Sequence, residues 1–154
     1  MNKLLSRVKM EVNLKFRRAE ESDWPFLLVL RSESMNSHII NAGLTPTEAN
    51  HLERIKYRFE YAKIIIYNSL EVGLLKVVKE GPVWDLVQIQ LSSSYRGLGL
   101  GKSIINGVLK EAFSQNASVK LSVFKGNPAK KLYESLGFKT YLETETAYEM
   151  QANA

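Results

Sequence analysis

The chain contains no cysteine among its 154 residues. This absence excludes disulfides, zinc sites built on thiolates and a cysteine nucleophile. A long apolar run is also missing, since no segment approaches the roughly 20 residues that a membrane-spanning helix needs. Residues 1–10 are basic and only briefly apolar, unlike a secretory signal. We therefore expect a cytoplasmic protein without a membrane partner.

Charge of one sign is not concentrated in any run, although the formal net charge is +5. Because Lys and Arg are scattered along the chain, we expect no nucleic-acid partner, and a phosphate-bearing small molecule suits the same charge. The composition, 45% hydrophobic and 24% charged, is typical of a globular protein. The length predicts one domain over residues 1–154, with 1–11 as a flexible N-terminal segment.

Apolar periodicity and turn signals predict the element order β, α, α, β, β, β, α, β, α, β, β. The first strand contains Val12 and alternates with polar residues, and a helix capped by Ser22 runs towards Met35. Periodicity is lost over 32–43, and a second helix is expected from Thr45 to about residue 62. This order predicts an α/β (α+β) fold with a mixed sheet and helices on both faces.

A glycine-rich turn at 94–103 joins the third strand of a predicted meander to an amphipathic helix. A P-loop would need glycine five residues before Gly101, but that residue is Arg96. A dinucleotide fingerprint starting at Gly97 would need glycine at position 102, which is Lys102. Both nucleotide motifs are excluded by spacing. What remains is a nest of backbone N–H groups at a helix N-terminus, suited to a phosphate anion.

Two segments together resemble a known family. The segment 95–101, Tyr-Arg-Gly-Leu-Gly-Leu-Gly, is similar to the Arg/Gln-x-x-Gly-x-Gly/Ala loop of the GNAT-type acyl-CoA N-acyltransferases. The segment 127–138, from Asn127-Pro128 through Tyr133 to Gly137-Phe138, is similar to the second motif of that family. The resemblance is detailed over 83–138. It implies a mostly antiparallel central sheet of six to seven strands, splayed in the middle, with helices on both faces.

The resemblance also implies a reaction and its co-substrate. The chain would be an N-acetyltransferase that passes the acetyl group of acetyl-CoA to a primary amine by direct attack in a ternary complex, without a metal. The pantetheine arm would lie in the gap of the sheet, and the pyrophosphate would rest on the loop. The implied cofactor-binding residues are Ile89, Leu91, Arg96, Gly97, Leu98, Gly99, Leu100, Gly101, Lys102, Ser103, Asn127, Lys130 and Tyr133.

The chemistry sets its own demands on the site. An alkylamine with a pKa near 10.4 attacks only when neutral, so a base or a water chain must remove its proton. A backbone N–H must stabilise the charged oxygen, and the resemblance places it near Leu91, at a bulge in the strand. The resemblance gives Tyr133 the role of general acid for the leaving thiolate; the alternative is an aromatic on a buried helix face. Asn127 also has a simpler alternative, as a helix N-cap.

The base is the open point. Many relatives carry a carboxylate on the strand before the loop, whereas this chain has Gln88 and Gln90 there. Asp85 is the only carboxylate of the strand, and strict alternation places it on the face of Ile89 and Leu91, so it is one candidate. Its alternative is a charged strand end beside a turn.

Other candidates for the base lie earlier in the chain. Glu33 is the next candidate, and a water chain is a further one. His38 and His51, the only histidines, are expected on the surface of a helix or loop.

Two other functions stay open at this level. A non-catalytic acyl-CoA sensor of the same fold is suggested by the missing carboxylates, and nucleic-acid binding through the net charge ranks below it. The acceptor is unidentified, although Glu143, Glu145 and Glu149 suggest that a cationic amine would be welcome. Monomer and homodimer are equally open.

Overall fold

A single seven-stranded sheet carries the other elements in a computed structural model, which describes residues 13–154. The strands are β1 (Leu14–Arg18), β2 (Ala62–Tyr67), β3 (Leu70–Val78), β4 (Val83–Leu91), β5 (Ser118–Phe124), β6 (Lys139–Glu143) and β7 (Ala147–Ala152). The helices are α1 (Trp24–Asn41), α2 (Glu48–Lys56), α3 (Leu100–Ser114) and α4 (Ala129–Ser135). The predicted order of elements is confirmed. The predictions for Val12 and for the segment 1–11 lie outside the described residues.

The strand order is β1-β2-β3-β4-β5-β7-β6, and all neighbours are antiparallel except β4 and β5. The parallel pair holds for only three residue pairs, from Val83 opposite Ser118 to Asp85 opposite Lys120. Residues 86–91 of β4 therefore have no partner in β5. The mixed, mostly antiparallel sheet that splays in its middle is confirmed.

A bulge at Val87 changes which way the side chains of β4 point. Val87 has no partner in β3, whereas the residues on either side of it are paired. An extra residue interrupts the alternation of faces along a strand. Asp85 therefore shares a face with Gln88, and Ile89 and Leu91 point to the opposite face. The prediction that Asp85 shares the face of Ile89 and Leu91 is wrong, and the bulge expected near Leu91 lies instead at Val87.

Helices cover both faces of the sheet, as predicted. On one face α3 and α4 pack on a large apolar cluster that includes Leu75, Ile104 and Phe138. On the other face α1 and α2 pack on a smaller cluster that includes Leu27, Ile55 and Leu74. No helix within residues 13–154 combines the length and apolar character needed to cross a membrane.

The boundaries of the first two helices differ from the prediction. Helix α1 continues to Asn41 through the region without apolar periodicity. In that region Arg31, Met35 and Ile39, which share one helix face, line a cavity, so the sequence lacks the regular apolar pattern that predicts a helix. A short 3-10 turn with a capping box, in which Asp23 takes part, precedes it, so Ser22 is not its cap. Helix α2 ends at Lys56 and not near residue 62, because the chain turns left-handed at Arg58, where φ is 50°.

A buried lysine on β3 fixes the end of α2 against the sheet. Lys76 is fully buried, and its Nζ donates to the carbonyl oxygens of Arg54 (3.0 Å), Ile55 (3.0 Å) and Tyr57 (2.6 Å). Burial, followed by the nearby Arg54 and Arg31, lowers the pKa of Lys76 to about 7. Three donated hydrogen bonds use all three protons of an ammonium group. The lysine thus satisfies the terminal carbonyls of α2, which a helix leaves without partners.

Replacing Lys76 by methionine is expected to destabilise the fold. The apolar side chain fits the volume, but three carbonyl oxygens at the end of α2 lose their donor, at a cost of about 2–4 kcal/mol. Unfolding by urea, followed by circular dichroism, measures the change. Lys63→Met, at an exposed position on β2, is the matched control and should change the free energy of unfolding little. Equal stability of Lys76→Met and wild type would contradict the role of Lys76.

Candidate active site

The gap between β4 and β5 opens into a cavity of about 770 Å³ that α1 and α2 cover on one side. Side chains from both strands, both helices and α4 line it. The predicted site residues among them are Ile89, Asn127 and Tyr133. A separate cavity of about 720 Å³ lies between α3 and strands β1 to β3 and contains only Ser103 of the predicted set. The splayed pair is therefore where these three predicted residues converge, while the glycine loop lies outside the lining of this cavity.

The glycine loop ends in a helix N-terminus that no side chain caps. Gly97 and Gly99 have φ of 76° and 83°, the left-handed conformation that favours glycine, and α3 starts directly after Gly99. Within residues 13–154, none of the backbone N–H groups of 97–102 donates to a protein acceptor. Free N–H groups at the positive end of a helix dipole form a site for an anion. This geometry fits the pyrophosphate of a nucleotide-type co-substrate.

Gly101 leaves open space in the first turn of α3. A Cβ added at Gly101 would meet no atom within 4 Å among the described residues, so protein packing does not require glycine there. The space lies beside the free N–H groups of the loop. An anion bound to those groups would occupy it, which accounts for the missing side chain. Leu98 and Lys102 are exposed around the loop, and Ser103 is half-buried.

Arg96 ties the loop to the mouth of the cavity. Its Nε donates to the carbonyl oxygen of Leu91 at 2.9 Å, and a terminal guanidinium nitrogen donates to Ser34 Oγ at 3.0 Å. The side chain thereby joins the end of β4 to α1. Its contact with a co-substrate phosphate stays a prediction.

The backbone of Leu91 points into the gap. The N–H of Ser92 donates to the carbonyl of Val72 at 2.8 Å, so the next residue along β4 turns its backbone groups towards β3. In an antiparallel pair neighbouring residues turn their N–H and C=O groups to opposite edges. The N–H of Leu91 therefore faces the side of β5, where pairing has already ended. A donor at this position agrees with the predicted stabilisation of a charged oxygen, although the bulge lies elsewhere.

Helix α4 positions the predicted acid. Asn127 Oδ1 accepts the N–H of Ala129 at 2.9 Å, so Asn127 caps α4 as its simpler reading predicted. Tyr133 lies on the buried side of α4, edge-on to Phe138 with 5.9 Å between ring centroids. Burial raises the pKa of Tyr133, so its hydroxyl stays protonated at neutral pH. Lys130 places its ammonium 4.5 Å from the ring centroid of Tyr148, on the same helix as Tyr133.

Neither predicted carboxylate base lines the cavity. Asp85 lies at the closed end of the gap, where β4 is still paired with β5, and lines a smaller cavity of about 180 Å³ with Arg54 and Lys120. Burial raises the pKa of Asp85. Glu33 is exposed on the outer side of α1. The structure does not bring either residue together with Tyr133, and this disfavours both as bases.

His51 is a cavity residue that the sequence reasoning placed wrongly. It is 3% exposed and not on the surface, because it shares the buried face of α2 with Ile55, four residues on. Its Nε2 lies 2.7 Å from Asn36 Oδ1, while its Nδ1 has no partner among the described residues. Burial, then Arg31, lowers the pKa of His51, so the ring is neutral at pH 7. The i, i+4 spacing with Ile55 was the signal available in the sequence.

Arg31 and the two glutamines of β4 also line the cavity. Arg31 is 7% exposed, and burial together with Arg54 lowers its pKa to about 10, so it remains protonated. Gln88 and Gln90 are buried, and the Oε1 atom of each lacks a hydrogen-bond partner within 13–154. In the sequence, Gln88 and Gln90 attract notice only because they stand where a carboxylate base was expected, and their place in the cavity was not predicted.

Comparisons with known proteins agree with this geometry. The family model described as the Acetyltransferase (GNAT) family matches residues 53–138. A search of curated protein sequences gives no match. Among solved structures, the PaiA N-acetyltransferase of Thermoplasma acidophilum in complex with coenzyme A is 14% identical, with a TM-score of 0.70, covering 92% of this chain and 99% of that one.

Two further solved structures have the same fold. Naa50 of Arabidopsis thaliana, in complex with the bisubstrate analogue CoA-Ac-MVNAL, is 18% identical with a TM-score of 0.64, covering 92% of this chain and 99% of that one. The ribosomal-protein-S18-alanine N-acetyltransferase of Escherichia coli is 21% identical with a TM-score of 0.63, covering 91% and 93%. At these identities the likeness concerns the fold.

Substituting Gly101 tests whether the free N–H groups hold a phosphate. Gly101→Ala is expected to weaken binding of coenzyme A by roughly tenfold or more, because the methyl group takes space next to the N–H groups, while the helix gains about 0.5–1 kcal/mol. Isothermal titration calorimetry and thermal melting measure the two effects. The control is Gly107→Ala, at an exposed position of the same helix. It should stabilise the helix to the same extent and leave the affinity for coenzyme A unchanged. Equal affinity of both variants would argue against the loop as the phosphate site.

Proposed function

The chain belongs to the GNAT acetyltransferase family, and on this premise we propose that it transfers the acetyl group of acetyl-CoA to a primary amine by direct attack in a ternary complex. The observation that carries the proposal is an uncapped glycine nest that follows β4, the strand whose unpaired half borders a gap lined by a half-buried, protonated tyrosine. The glycine nest suits the pyrophosphate of acetyl-CoA, and the gap suits the thioester and the amine that attacks it.

The residues present fit acetyl-CoA. In the proposal, the N–H groups of 97–102 hold the pyrophosphate, and the unpaired edge of β4 at Ile89 offers hydrogen bonds to the amides of the pantetheine arm, next to the N–H of Leu91. The free amide nitrogen of Asn127 and the ammonium of Lys130 extend the donor site on α4. When bound, the co-substrate supplies a thioester, whose carbonyl carbon is open to attack by a neutral amine.

The chain supplies the charges and protons that the transfer needs. A bond forms between the amine nitrogen and the carbonyl carbon, and the carbon–sulfur bond breaks. The N–H of Leu91 stabilises the oxygen that becomes negative during attack. The hydroxyl of Tyr133 gives its proton to the departing sulfur, and the proton that the amine releases restores it through the protein and solvent.

We propose His51 as the first acceptor of the amine proton. Its Nε2 hydrogen is directed to Asn36, which leaves the lone pair of the buried Nδ1 without a partner among the described residues. The ring is neutral at pH 7, the form that a base requires. The cations Arg31 and Arg54 along the cavity disfavour an ammonium and so lower the pKa of a bound amine. This positive environment makes it easier for the bound amine to lose its proton, so the reaction does not require a carboxylate as the base.

Tyr133→Phe tests the acid. We expect kcat to fall by roughly 10²–10⁴-fold because the proton donor is lost. Coenzyme A affinity and thermal stability should stay near wild type, since the ring that packs on Phe138 is kept. Thiol release in steady state and calorimetric titration measure these quantities. Tyr141→Phe, at an exposed position, is the control. A kcat within twofold of wild type would exclude Tyr133 as the acid, and a wild type that binds acetyl-CoA but acetylates no amine would favour the sensor function.

The pH dependence of kcat/KM tests the base. His51 must be neutral to accept a proton, and its pKa lies below the usual 6.5, so the activity that depends on it is present at neutral pH and is lost as the pH falls through that lowered pKa. His51→Gln keeps an N–H for Asn36 but has no basic nitrogen. In this variant we expect kcat/KM to fall by roughly 10²-fold. We also expect the decrease of kcat/KM at acidic pH to disappear from the pH profile. His38→Gln should keep the profile, and an unchanged limb in His51→Gln would contradict the role.

A further inference from the structure

We infer that the acetyl acceptor carries a compact oxyanion, a carboxylate or a phosphate, close to its amine, and that the guanidinium of Arg31 binds it in the cavity between β4 and β5. The inference rests on the proposed acetyl transfer and narrows the class of acceptor. It makes Arg31 a residue that determines specificity.

The first observation is a buried cation without a counterion. Arg31 is 7% exposed, and within residues 13–154 its guanidinium makes no hydrogen bond and no ion pair. The seven ion pairs in the described part of the chain all involve other residues. A buried charge without a partner is strongly unfavourable, and an arginine left in this state is suited to an anion that arrives from outside.

The second observation is the sign of the whole cavity wall. Arg31 from α1 and Arg54 from α2 both line the cavity, and none of its described lining residues is Asp or Glu. An ammonium compound without a negative group would therefore enter a positive cavity. An anion on the same molecule offsets that repulsion.

The third observation is a pair of free acceptors beside this cation. Gln88 and Gln90 are 4% and 6% exposed, and the Oε1 atom of each lacks a partner among the described residues. The bulge at Val87 turns both side chains to the face covered by α1 and α2, where Arg31 lies. Amide oxygens accept hydrogen bonds from an amine, while the planar fork of a guanidinium fits a carboxylate or phosphate. The cavity wall thus holds a guanidinium suited to the anion of such an amine and two buried amide oxygens whose acceptor capacity is unused.

This assignment replaces the expectation of a purely cationic acceptor. That expectation rested on three glutamates near the C-terminal end of the chain. Glu143 pairs with Lys125 at 2.8 Å, and Glu149 accepts a hydrogen bond from Ser122, so two of these carboxylates already have protein partners. Glu145 is exposed, and none of the three lines the cavity.

The test uses pairs of acceptors in which one member carries the anion and the other does not, compared at the same concentration of neutral amine. The full chain is assayed for thiol release from acetyl-CoA with free amino acids and their carboxamides, and with O-phosphoethanolamine and ethanolamine. We expect kcat/KM to favour the anionic member of at least one pair by roughly 10- to 100-fold, the range for a charge-assisted hydrogen bond. A preference within the amino acid pairs would indicate that the site binds a carboxylate, and a preference for O-phosphoethanolamine over ethanolamine would indicate that it binds a phosphate. Arg31→Gln should abolish the preference, and Arg18→Gln, exposed on β1, should retain it.

The outcomes separate this inference from the proposed transfer. Wild type that acetylates both members of every pair equally overturns the inference and leaves acetyl transfer intact. A tenfold loss of coenzyme A affinity in Arg31→Gln would assign Arg31 to the donor site and also overturn it. Arg31→Met should melt at the same or a higher temperature than wild type without acceptor, because an unpaired buried charge has been removed; a lower melting temperature would show that a protein partner holds Arg31.

If no amine is acetylated, the anion site is still measurable. The anionic compounds are then titrated into the coenzyme A complex, and the Nε–Hε resonance of Arg31 is followed by NMR. A shift that saturates, and that the carboxamides and ethanolamine do not cause, supports the site although the transfer has failed. No shift with any anionic compound overturns the inference.

Discussion

The early end of the β4–β5 pair is the constraint on which the site depends. Three residue pairs hold these parallel strands together, and the next six residues of β4 have no β5 partner. An unpaired strand edge in the middle of a sheet leaves backbone donors and acceptors that need partners. An extended ligand with amide groups can supply them. The same divergence leaves Tyr133 of α4 on the wall of the gap. In the proposed transfer, the glycine loop, the strand edge and Tyr133 serve one co-substrate.

The bulge at Val87 and the lysine at position 76 shape the opposite side of the gap. Without the bulge, Gln88 and Gln90 would follow the alternation of the first half of β4 and face α3. With it, they face the cavity under α1 and α2. Lys76, in register with Gln88, holds the last carbonyls of α2 and so fixes the helix that carries His51 and Arg54. The bulge and the buried lysine together shape the side of the gap where we propose that the acceptor binds.

Sequence periodicity predicted the element order and the glycine loop, because both depend on local backbone preferences. Gly97 and Gly99 adopt positive φ, and their spacing is readable without any knowledge of the fold. The face of Asp85 was mispredicted, because a bulge depends on pairing with another strand. Arg31 and His51 were missed or misplaced because a buried polar side chain looks in the sequence like a surface one. Only the tertiary contact of α1 and α2 with β4 distinguishes the two cases.

The two sides of the gap therefore differ in how their chemistry is encoded. The proposed donor side consists of backbone N–H groups and glycines, so one short motif describes it. The proposed acceptor side consists of side chains from α1, α2 and β4, brought together by the sheet. The positive charge of the cavity wall also affects how strong a base the reaction needs. Cations near a bound amine favour the neutral form, and an oxyanion on the same molecule lets it bind despite that field. In the proposed transfer a site of this kind needs only a weak base such as a neutral imidazole, which is consistent with Gln88 and Gln90 on the strand before the loop.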